Sequence, residues 1–342
     1  MDQYRVAFIG CGRRADLHAP GVKADDRCKA VAFADVKENA AAEFRDRHGF
    51  TGSVYEDYRE LLIEEKPDVV VSCLWTALHL PVFCACADAG VKAVLSEKPM
   101  SGNWGECLEM DGLARSSGCQ LTFSHQRRFS PGNIFVREII DSGLLGPLLR
   151  MDLYSPQHLL DCGTHTFDQA LSFNAESPAK WALGAVDSEN PLSYFNVQSE
   201  RLATGLVVFE NGVRAYIQAG GPDMDIWGGV RVIGSKGFIE VIWDGEIKNA
   251  VIYDDPTWTA PVFERDEPTQ MIGLIRDTID GLALGIEPQS SHKKALRAAE
   301  IIFGLYESVR RHRKTIFPLA PFEDNPFITM LHAGEFERAL IR

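Results

Sequence analysis

The sequence predicts an α/β fold: an N-terminal Rossmann domain with a doubly wound parallel sheet, then an α+β domain with a large, mostly antiparallel open sheet. Three observations carry this prediction. Through residue 124, short continuous apolar runs alternate with helix-length segments, which is typical of parallel strands covered on both faces. A glycine-rich turn follows the first of these runs. From about residue 179 to 253 the runs follow one another through turn signals, which indicates antiparallel hairpins.

The parallel sheet is predicted from five apolar runs, and right-handed crossovers between them give the doubly wound arrangement. The runs are 6–9, 31–34, 68–74, 91–95 and 120–123. The predicted helices are 15–24, 38–48, 55–65, 78–89 and 104–116. Gly90 and Gly118 stand where helix C-caps belong, which supports the ends of the last two helices.

The second domain is predicted to begin with a helix at 133–141 and a strand at 148–154. Further strands are predicted at 203–209, 213–218, 229–233 and 237–243, with hairpin signals at Asn211-Gly212 and Ser235-Lys236-Gly237. Helices at 268–284 and 292–312 are expected to close this domain. We predict a first domain over 1–124, a second domain over 125–318, and a C-terminal extension over 319–342. The apolar residues of the extension are expected to dock on the body or on a partner subunit.

The bulk composition narrows the class of protein. A chain of 342 residues is long enough for two domains, and its formal net charge of −13 argues against nucleic acid or an anionic membrane as partner. No run of 18 apolar residues and no secretory leader pattern appears, so neither a membrane span nor export is expected. The eight cysteines lack metal-ligand spacing, so no metal site is expected, and reduced thiols fit a cytoplasmic protein.

The turn Gly10-Cys11-Gly12-Arg13-Arg14-Ala15 matches the dinucleotide-binding pattern G-x-G-x-x-G/A, and it lies between a predicted strand and a predicted helix. The first glycine permits the tight turn, and the second lets a pyrophosphate approach the backbone at the helix N-terminus. We therefore expect the residues from Gly10 to Arg14 to contact the cofactor. The alternative is a glycine-rich turn without a ligand.

Asp35 ends the second predicted strand, where an acidic residue accepts hydrogen bonds from the adenosine ribose. A carboxylate there repels a 2′-phosphate, so the sequence favours NAD over NADP. Arg13 and Arg14 act against this preference, because an arginine near the loop can tolerate phosphate. The structural alternative is that Asp35 caps the next helix.

Two polar segments follow the next two strands at the edge where a dinucleotide would bind. The first contains Trp75, Thr76 and His79, which we expect to contact the cofactor; the alternative is that Thr76 and His79 cap the following helix. The second is Glu97-Lys98-Pro99, in which Pro99 restricts the backbone beside Lys98. A lysine at this place can donate to a substrate hydroxyl and shuttle its proton. The alternative is a surface lysine paired with Glu97.

Asp161, His165 and Asp168 are spaced so that they share one face of a predicted helix, with Asp161 placed as its N-cap. A histidine oriented by a carboxylate is a common proton-transfer arrangement. The structural alternative is a capping aspartate and a buried histidine. A metal site would need a third ligand, and nothing else in the sequence supports one.

With these motifs in order, the chain resembles the glucose–fructose oxidoreductase and inositol dehydrogenase family over about residues 4–318. Further markers of the resemblance are Arg127-Arg128-Phe129, Leu305-Tyr306-Glu307-Ser308 and Ile316-Phe317-Pro318. The resemblance implies proton transfer by residues at the positions of Lys98, Asp161 and His165 while the nicotinamide takes the hydride. It also implies an open sheet that often mediates dimers and tetramers. The chain departs from the family at 155–160, where a glycine-rich stretch is usual.

The resulting hypothesis is an NAD-dependent oxidoreductase acting on a secondary hydroxyl of a sugar, cyclitol or sugar derivative. Lys98 and His165 would relay the proton, Asp161 would orient His165, and Gln126 and Arg127 would contact substrate or nicotinamide. Glu97 and Lys98 are also expected beside the cofactor, and a homodimer or homotetramer is expected. Two alternatives remain: a glycosidase that uses bound NAD transiently, and a non-catalytic sugar- or nucleotide-binding regulator.

Overall fold

The computed structural model of the protein describes residues 3–188, 191–194, 197–220, 227–264 and 266–336. The chain divides into two compact units. The first contains Met1–Ser101, Glu106–Phe129 and Glu267–Ala295, and the second contains Gly102–Gly105, Ser130–Asp266 and Leu296–Arg342.

Strands and helices are numbered in chain order. The strands are β1 (Tyr4–Ile9), β2 (Cys28–Ala34), β3 (Ser53–Tyr55), β4 (Val69–Ser72), β5 (Ala93–Ser96), β6 (Gln120–Phe123), β7 (Leu148–Ser155), β8 (Ala179–Asp187), β9 (Leu192–Tyr194), β10 (Val197–Ser199), β11 (Leu202–Phe209), β12 (Arg214–Gly220), β13 (Gly229–Gly234), β14 (Gly237–Ile242), β15 (Ile247–Ile252) and β16 (Thr315–Ile316). The helices are α1 (Arg13–Lys23), α2 (Ala40–Arg47), α3 (Tyr58–Glu65), α4 (His79–Asp88), α5 (Trp104–Ser117), α6 (Pro131–Asp141), α7 (Thr164–Phe173), α8 (Glu267–Leu284), α9 (His292–Arg310) and α10 (Pro326–His332).

The first unit is built on a parallel sheet of six strands in the order β3-β2-β1-β4-β5-β6, which is the doubly wound order that the sequence predicts. Each of the five predicted apolar runs overlaps a strand. Strand β3 was not predicted, because its three residues are exposed or half-buried and so form no apolar run. Residue 55 therefore lies in a strand, and helix α3 begins only at Tyr58, where the Asp57 side chain caps it by accepting from the Arg59 N–H.

Helix α8 lies in the first unit, whereas the sequence pattern placed it in the second domain. Its buried residues Met271 and Ile275 belong to the core that α1 shares with the parallel sheet. A Cβ on Gly21 of α1 would lie 2.6 Å from Ile275 Cγ1, so the absence of a side chain lets the two helices approach closely. Helical periodicity indicates that a helix buries one face, but it does not identify the partner of that face. The limits 1–124, 125–318 and 319–342 stay a prediction about domains.

The second unit contains an eight-stranded sheet in the order β15-β14-β13-β7-β12-β11-β8-β16. Only the β7–β12 pair is parallel among the pairs of this sheet in the described residues, so the mostly antiparallel prediction is confirmed. The turn Asn211-Gly212 joins β11 to β12, and Ser235-Lys236 joins β13 to β14, as predicted. Gly212 has φ +87°, a conformation that favours glycine.

Helices cover one face of this sheet. Helix α7 packs on β7 and β13, helix α6 packs on β14, and Leu305 of α9 lies against Gly184 and Gly205 of β8 and β11. The C-terminal extension docks on the body, as expected: Phe327 of α10 is fully buried with its ring 5.6 Å from that of Tyr306. Upstream, the Trp104 indole N–H donates to the Ala320 carbonyl at 3.2 Å.

Candidate functional site

The glycine loop has the geometry of a phosphate-binding turn. Gly10 has φ +84°, and a Cβ there would lie 2.5 Å from the Cys73 carbonyl oxygen, so this position requires glycine. Gly12 has open space around it and stands immediately before α1. In the described structure no side chain caps α1, so its first N–H groups are not used by a capping residue.

Asp35 is held beside this loop. Its Oδ2 accepts from the Cys11 N–H at 2.8 Å and its Oδ1 accepts from the Lys37 N–H at 2.8 Å. Helix α2 begins five residues later and has Asn39 at its N-cap, so the alternative in which Asp35 caps this helix is wrong. The carboxylate therefore lies at the end of β2, next to the backbone of the glycine loop.

The Cys11 thiol is a packing group. It is buried and donates to the Ala34 carbonyl at 3.6 Å. Burial, with a further contribution from Asp35, raises the pKa of the Cys11 thiol to about 12. The thiol therefore stays protonated at neutral pH, and the main-chain N–H of Cys11 is its polar contribution to the loop.

Arg14 and His18 of α1 both contact Glu97, which follows β5. Arg14 Nη2 lies 3.0 Å from each Glu97 carboxylate oxygen, and His18 Nε2 lies 2.8 Å from Oε1. Burial alone would raise the pKa of the Glu97 carboxyl, but Arg14 and His18 outweigh it and hold this pKa well below its usual range. Glu97 is thus a buried anion, and the Arg14 guanidinium forms an ion pair with it.

His79 joins the segment after β4 to the segment after β5. Its Nε2 lies 3.2 Å from the Leu74 carbonyl oxygen and its Nδ1 lies 3.0 Å from that of Pro99. Burial lowers the pKa of His79 below its usual value. Thr76 opens a short 3-10 turn over Thr76–Leu78, and no side chain caps this turn or α4 in the described structure, so the capping alternative for Thr76 and His79 is wrong.

Four other residues expected at the cofactor or substrate lie in the same unit. Trp75 is half-exposed after β4, and Lys98 is half-buried two residues beyond β5. Gln126 begins a 3-10 turn, Gln126–Phe129, that contains Arg127. The Gln126 Oε1 is buried, and in the described structure it has no hydrogen-bond partner. An unsatisfied buried acceptor of this kind is suited to a donor supplied by a ligand.

In the second unit, Asp161 and His165 lie on two different elements. Asp161 is buried in a π-helical turn, Leu159–Gly163, and its N–H donates to His158 Nδ1 at 3.2 Å. Helix α7 begins after this turn with Gly163 at its N-cap, so the expectation that Asp161 caps the helix is wrong. Isolated π turns of this kind often occur at functional sites.

His165 and Asp168 lie in the first two turns of α7, three residues apart, so they share a helical face as predicted. Asp161 belongs to the wider π turn that precedes them, which the helical spacing did not anticipate. Both α7 residues are buried. The His165 ring centroid lies 6.1 Å from that of Trp243, whose indole N–H donates to Thr166 Oγ1 at 3.2 Å.

Sequence reasoning missed Glu200 and Tyr306, which anchor the π turn. Glu200 is fully buried, and its Oε1 accepts from the Leu159 N–H at 2.7 Å. Its Oε2 accepts from the Tyr306 hydroxyl at 2.6 Å and from the Ser199 hydroxyl at 2.7 Å. Burial, followed by the Glu200 charge, raises the pKa of Tyr306 well above its usual value. Tyr306 entered the sequence analysis only as part of a family marker, and no local pattern singles out Glu200.

No group of three or more His, Cys, Asp or Glu side chains is placed to hold a metal ion in the part of the chain that the structure describes. Within the same residues, every helix is too short or too polar to cross a lipid bilayer.

Comparison with known proteins gives similar sequences and similar structures. Residues 4–125 match the sequence model of an oxidoreductase family with an NAD-binding Rossmann fold. The chain is 29% identical over 180 residues to a myo-inositol 2-dehydrogenase of Thermotoga maritima, covering 48% of this chain and 53% of that protein. It is 28% identical over 187 residues to a D-glucoside 3-dehydrogenase of Escherichia coli, covering 49% of this chain and 53% of that protein. The matches thus span about half the length of these curated relatives.

Among solved structures, the WlbA dehydrogenase of Bordetella pertussis, in complex with NADH and UDP-GlcNAcA, is similar over 93% of this chain and 99% of its own. The TM-score is 0.78 at 17% sequence identity. This likeness shows that both sheets and their connections follow a known fold.

Proposed function

Because this chain belongs to the glucose–fructose oxidoreductase and inositol dehydrogenase family, we propose that it is an NAD-dependent oxidoreductase. Its reaction would transfer a hydride between the nicotinamide and a secondary hydroxyl of a sugar, cyclitol or sugar derivative. One observation carries the proposal: the glycine loop, Asp35 and Lys98 all follow the carboxyl ends of strands in one parallel sheet. Dinucleotides bind at this edge of doubly wound sheets.

The residues at this edge suit NAD. Asp35 would accept from hydroxyls of the adenosine ribose, and Gly12 with the uncapped start of α1 would hold the pyrophosphate. A bound nicotinamide supplies the hydride acceptor. Preference for NAD over NADP is supported by the Asp35 carboxylate, which would repel a 2′-phosphate. Arg14, one of the two arginines that act against this preference, is engaged by Glu97.

Proton transfer would fall to Lys98 and to the residues around the π turn. Lys98 and His165 would relay the proton of the reacting hydroxyl, and Asp161 would orient His165. Gln126 and Arg127 would contact substrate or nicotinamide, which the unsatisfied Gln126 Oε1 supports. The relatives named for an inositol and a glucoside support a substrate whose secondary hydroxyl is carried by a ring. A cytoplasmic location is part of the proposal, since the cysteines from Cys11 to Cys119 are free thiols.

A screen of sugars, cyclitols and glycosides with NAD tests the proposal. NADH formation is followed by absorbance, and released sugar is measured in the same wells. We expect NADH to form with at least one ring polyol, and to form far more slowly in a Lys98→Ala variant that still binds NAD. Sugar released from a glycoside without net NADH would instead indicate the glycosidase reaction. Sugar or NAD binding without any turnover would indicate a regulator.

A further inference from the structure

The segment that contains Lys98 is held on both sides by buried polar contacts. Before Lys98, the Glu97 side chain is inserted against α1, where Arg14 and His18 contact its carboxylate at 2.8–3.0 Å. After Lys98, the Pro99 carbonyl lies 3.0 Å from His79 Nδ1. Glu97, His18 and His79 are each at most 4% exposed. Lys98 is the half-buried residue in this otherwise buried segment.

The tautomer of His18 follows from its surroundings. A carboxylate only accepts hydrogen bonds, so the Nε2 that faces Glu97 must carry the proton. The other ring nitrogen, Nδ1, is buried and has no hydrogen-bond partner in the described structure, which suits a lone pair better than an N–H. The geometry therefore matches an imidazole whose Nε2–H donates to Glu97. The Arg14 guanidinium supplies a full positive charge beside the buried carboxylate.

On the other side, His79 connects two strand ends. Its ring spans from the Leu74 carbonyl, after β4, to the Pro99 carbonyl, after β5. Both nitrogens of this ring therefore face protein main chain, as both oxygens of Glu97 face side chains of α1. Each polar atom of the Glu97 and His79 side chains therefore faces a protein group and is not directed at a dinucleotide.

We propose that Glu97 and His79 are positioning residues for Lys98, and that they act through its backbone instead of binding the cofactor themselves. The inference rests on the proposed role of Lys98 in proton transfer. A lysine ammonium on a four-carbon stem is flexible, so the precision of its placement depends on the anchoring of its main chain. A displacement of about 1 Å at a reacting group can cost about 10²-fold in rate. Through Arg14 and His18, Glu97 also ties the Lys98 segment to the helix that follows the glycine loop.

The test uses Glu97→Gln and His79→Gln in the full-length protein, with Asp25→Asn as a matched control. Asp25 is also a buried carboxylate of the first unit paired with an arginine, Arg27, at 2.7 Å, but it does not border the Lys98 segment. For both test variants we expect kcat to fall about 10- to 100-fold, with the NAD dissociation constant, measured by calorimetry, changed less than threefold. Asp25→Asn should leave kcat unchanged.

The number of NAD sites per chain, read from the same calorimetric titrations, separates positioning from general damage to the fold, because an unfolded fraction of the protein lowers that number. Glu97→Gln and His79→Gln should keep the number of sites of the unaltered protein while kcat falls. If Glu97→Gln does not fold, His18→Leu, which removes one donor to Glu97, gives the same test with a smaller expected loss.

Two results would overturn the inference. A tenfold or greater loss of NAD affinity with kcat preserved would identify Glu97 or His79 as a cofactor ligand. Unchanged kcat and unchanged affinity in both variants would show that these contacts do not position Lys98. The proposed function itself fails if the unaltered protein transfers no hydride to NAD from any ring polyol; the calorimetric comparison would then still decide whether Glu97 and His79 are ligands.

Discussion

The two units support their polar site residues in different ways. In the first unit, Asp35 and Glu97 follow parallel strands and meet partners on the glycine loop or on the helix that follows it. In the second unit, Asp161 lies in a π turn that is anchored by Glu200. The Glu200 carboxylate accepts from the Leu159 N–H, 41 residues before it in the chain, and from the Tyr306 hydroxyl, 106 residues after it. The first arrangement repeats a strand–loop–helix pattern, whereas the second depends on buried contacts between distant segments.

The two sheets also differ in how they bury their faces. In the parallel sheet, strands β1, β4 and β5 are mostly apolar and buried, as expected for strands covered on both faces. Helices of the described residues pack on one side of the eight-stranded sheet, and we call the other side the open side. Its open side carries Leu183 and Tyr216 together with ion pairs such as Arg150–Asp152 at 2.6 Å. The strands of the first sheet are thus mostly buried, whereas the second sheet presents a mixed apolar and charged surface.

The largest expected effect compares one residue from each unit that we propose for proton transfer. We expect Lys98→Ala and His165→Gln each to reduce turnover by ~10²–10⁴, with nearly unchanged NAD affinity. The double variant should lose little more than either single variant, because one relay is broken by either change. Glutamine is chosen at position 165 because His165 is buried in α7 and a smaller residue would leave a cavity.

His48→Gln serves as the control for that prediction, since His48 pairs with Asp16 in the first unit and has no proposed role in proton transfer. Steady-state kinetics and calorimetry on the same preparations decide the outcome. Near-normal turnover in both Lys98→Ala and His165→Gln on the true substrate would show that neither residue takes part in proton transfer.

The second prediction concerns Asp35 of the first unit and the choice between NAD and NADP. Replacing Asp35 by serine removes the carboxylate that would accept from ribose and repel phosphate. We expect the ratio of NAD to NADP affinity to fall about 10- to 100-fold, the range for losing a hydrogen bond to a charged group. Calorimetric titration of both dinucleotides into both proteins measures this ratio. Equal affinities in the unaltered protein would contradict the assigned preference.

The third prediction concerns the open side of the second sheet. Val207, Phe209 and Ile217 of strands β11 and β12 are buried on the covered side of the sheet, whereas Tyr216 of β12 is exposed. We still expect a dimer or tetramer joined through the open side, since Leu183 and Tyr216 are exposed there.

Light scattering tests this assembly at micromolar protein concentration. Leu183→Glu should shift the mass toward the monomer, because it places a charge within the apolar part of the open side. Ile63→Glu is the matched control, since Ile63 is also exposed but belongs to α3 of the first unit. A monomeric unaltered protein would remove the basis for this prediction.

The fourth prediction tests the long-range anchor of the π turn. Tyr306→Phe removes the donor to the buried Glu200 carboxylate, so we expect the free energy of unfolding to fall by about 1–3 kcal/mol. Turnover should fall as well, because the same carboxylate holds the start of the turn that contains Asp161. Tyr253→Phe, at an exposed tyrosine, should change neither quantity. Chemical denaturation of the three proteins provides the comparison, and equal midpoints would show that the anchor contributes little.

The smallest expected effect is a pH dependence of stability. Burial lowers the pKa of His79 and of His292 below the usual value of 6.5, so the unfolded chain binds protons more readily than the folded one. Their contribution to stability is therefore complete above pH 6.5 and declines as the pH falls toward their folded pKa values. The unfolding temperature should drop between pH 7.5 and 5.5, and it should drop less in His79→Gln and His292→Gln. An identical drop in all three proteins would argue against this cause.

Local patterns in the sequence were sufficient to predict the parallel sheet, the hairpins of the second sheet and the glycine loop. These features depend on short-range physics: apolar runs of strand length, turns that need glycine, and a strand–turn–helix order. Asp35 could be located for the same reason, since the end of the second strand is visible in the sequence. The short, partly exposed β3 was missed because it lacks an apolar run.

The sequence by itself thus determined the order of elements and the chemical types at the strand ends. Only the tertiary structure decided which groups meet: His18 with Glu97, Glu200 with Leu159 and Tyr306, and α8 with α1. It also decided that Asp161 lies in a π turn and that helices of the described residues pack on one side of the second sheet. The physical reason is that the spacing of apolar residues indicates which face of a segment is buried and which faces solvent. The partner of a buried polar group is selected by folding, among residues far apart in the chain, because leaving that group unpaired would cost free energy.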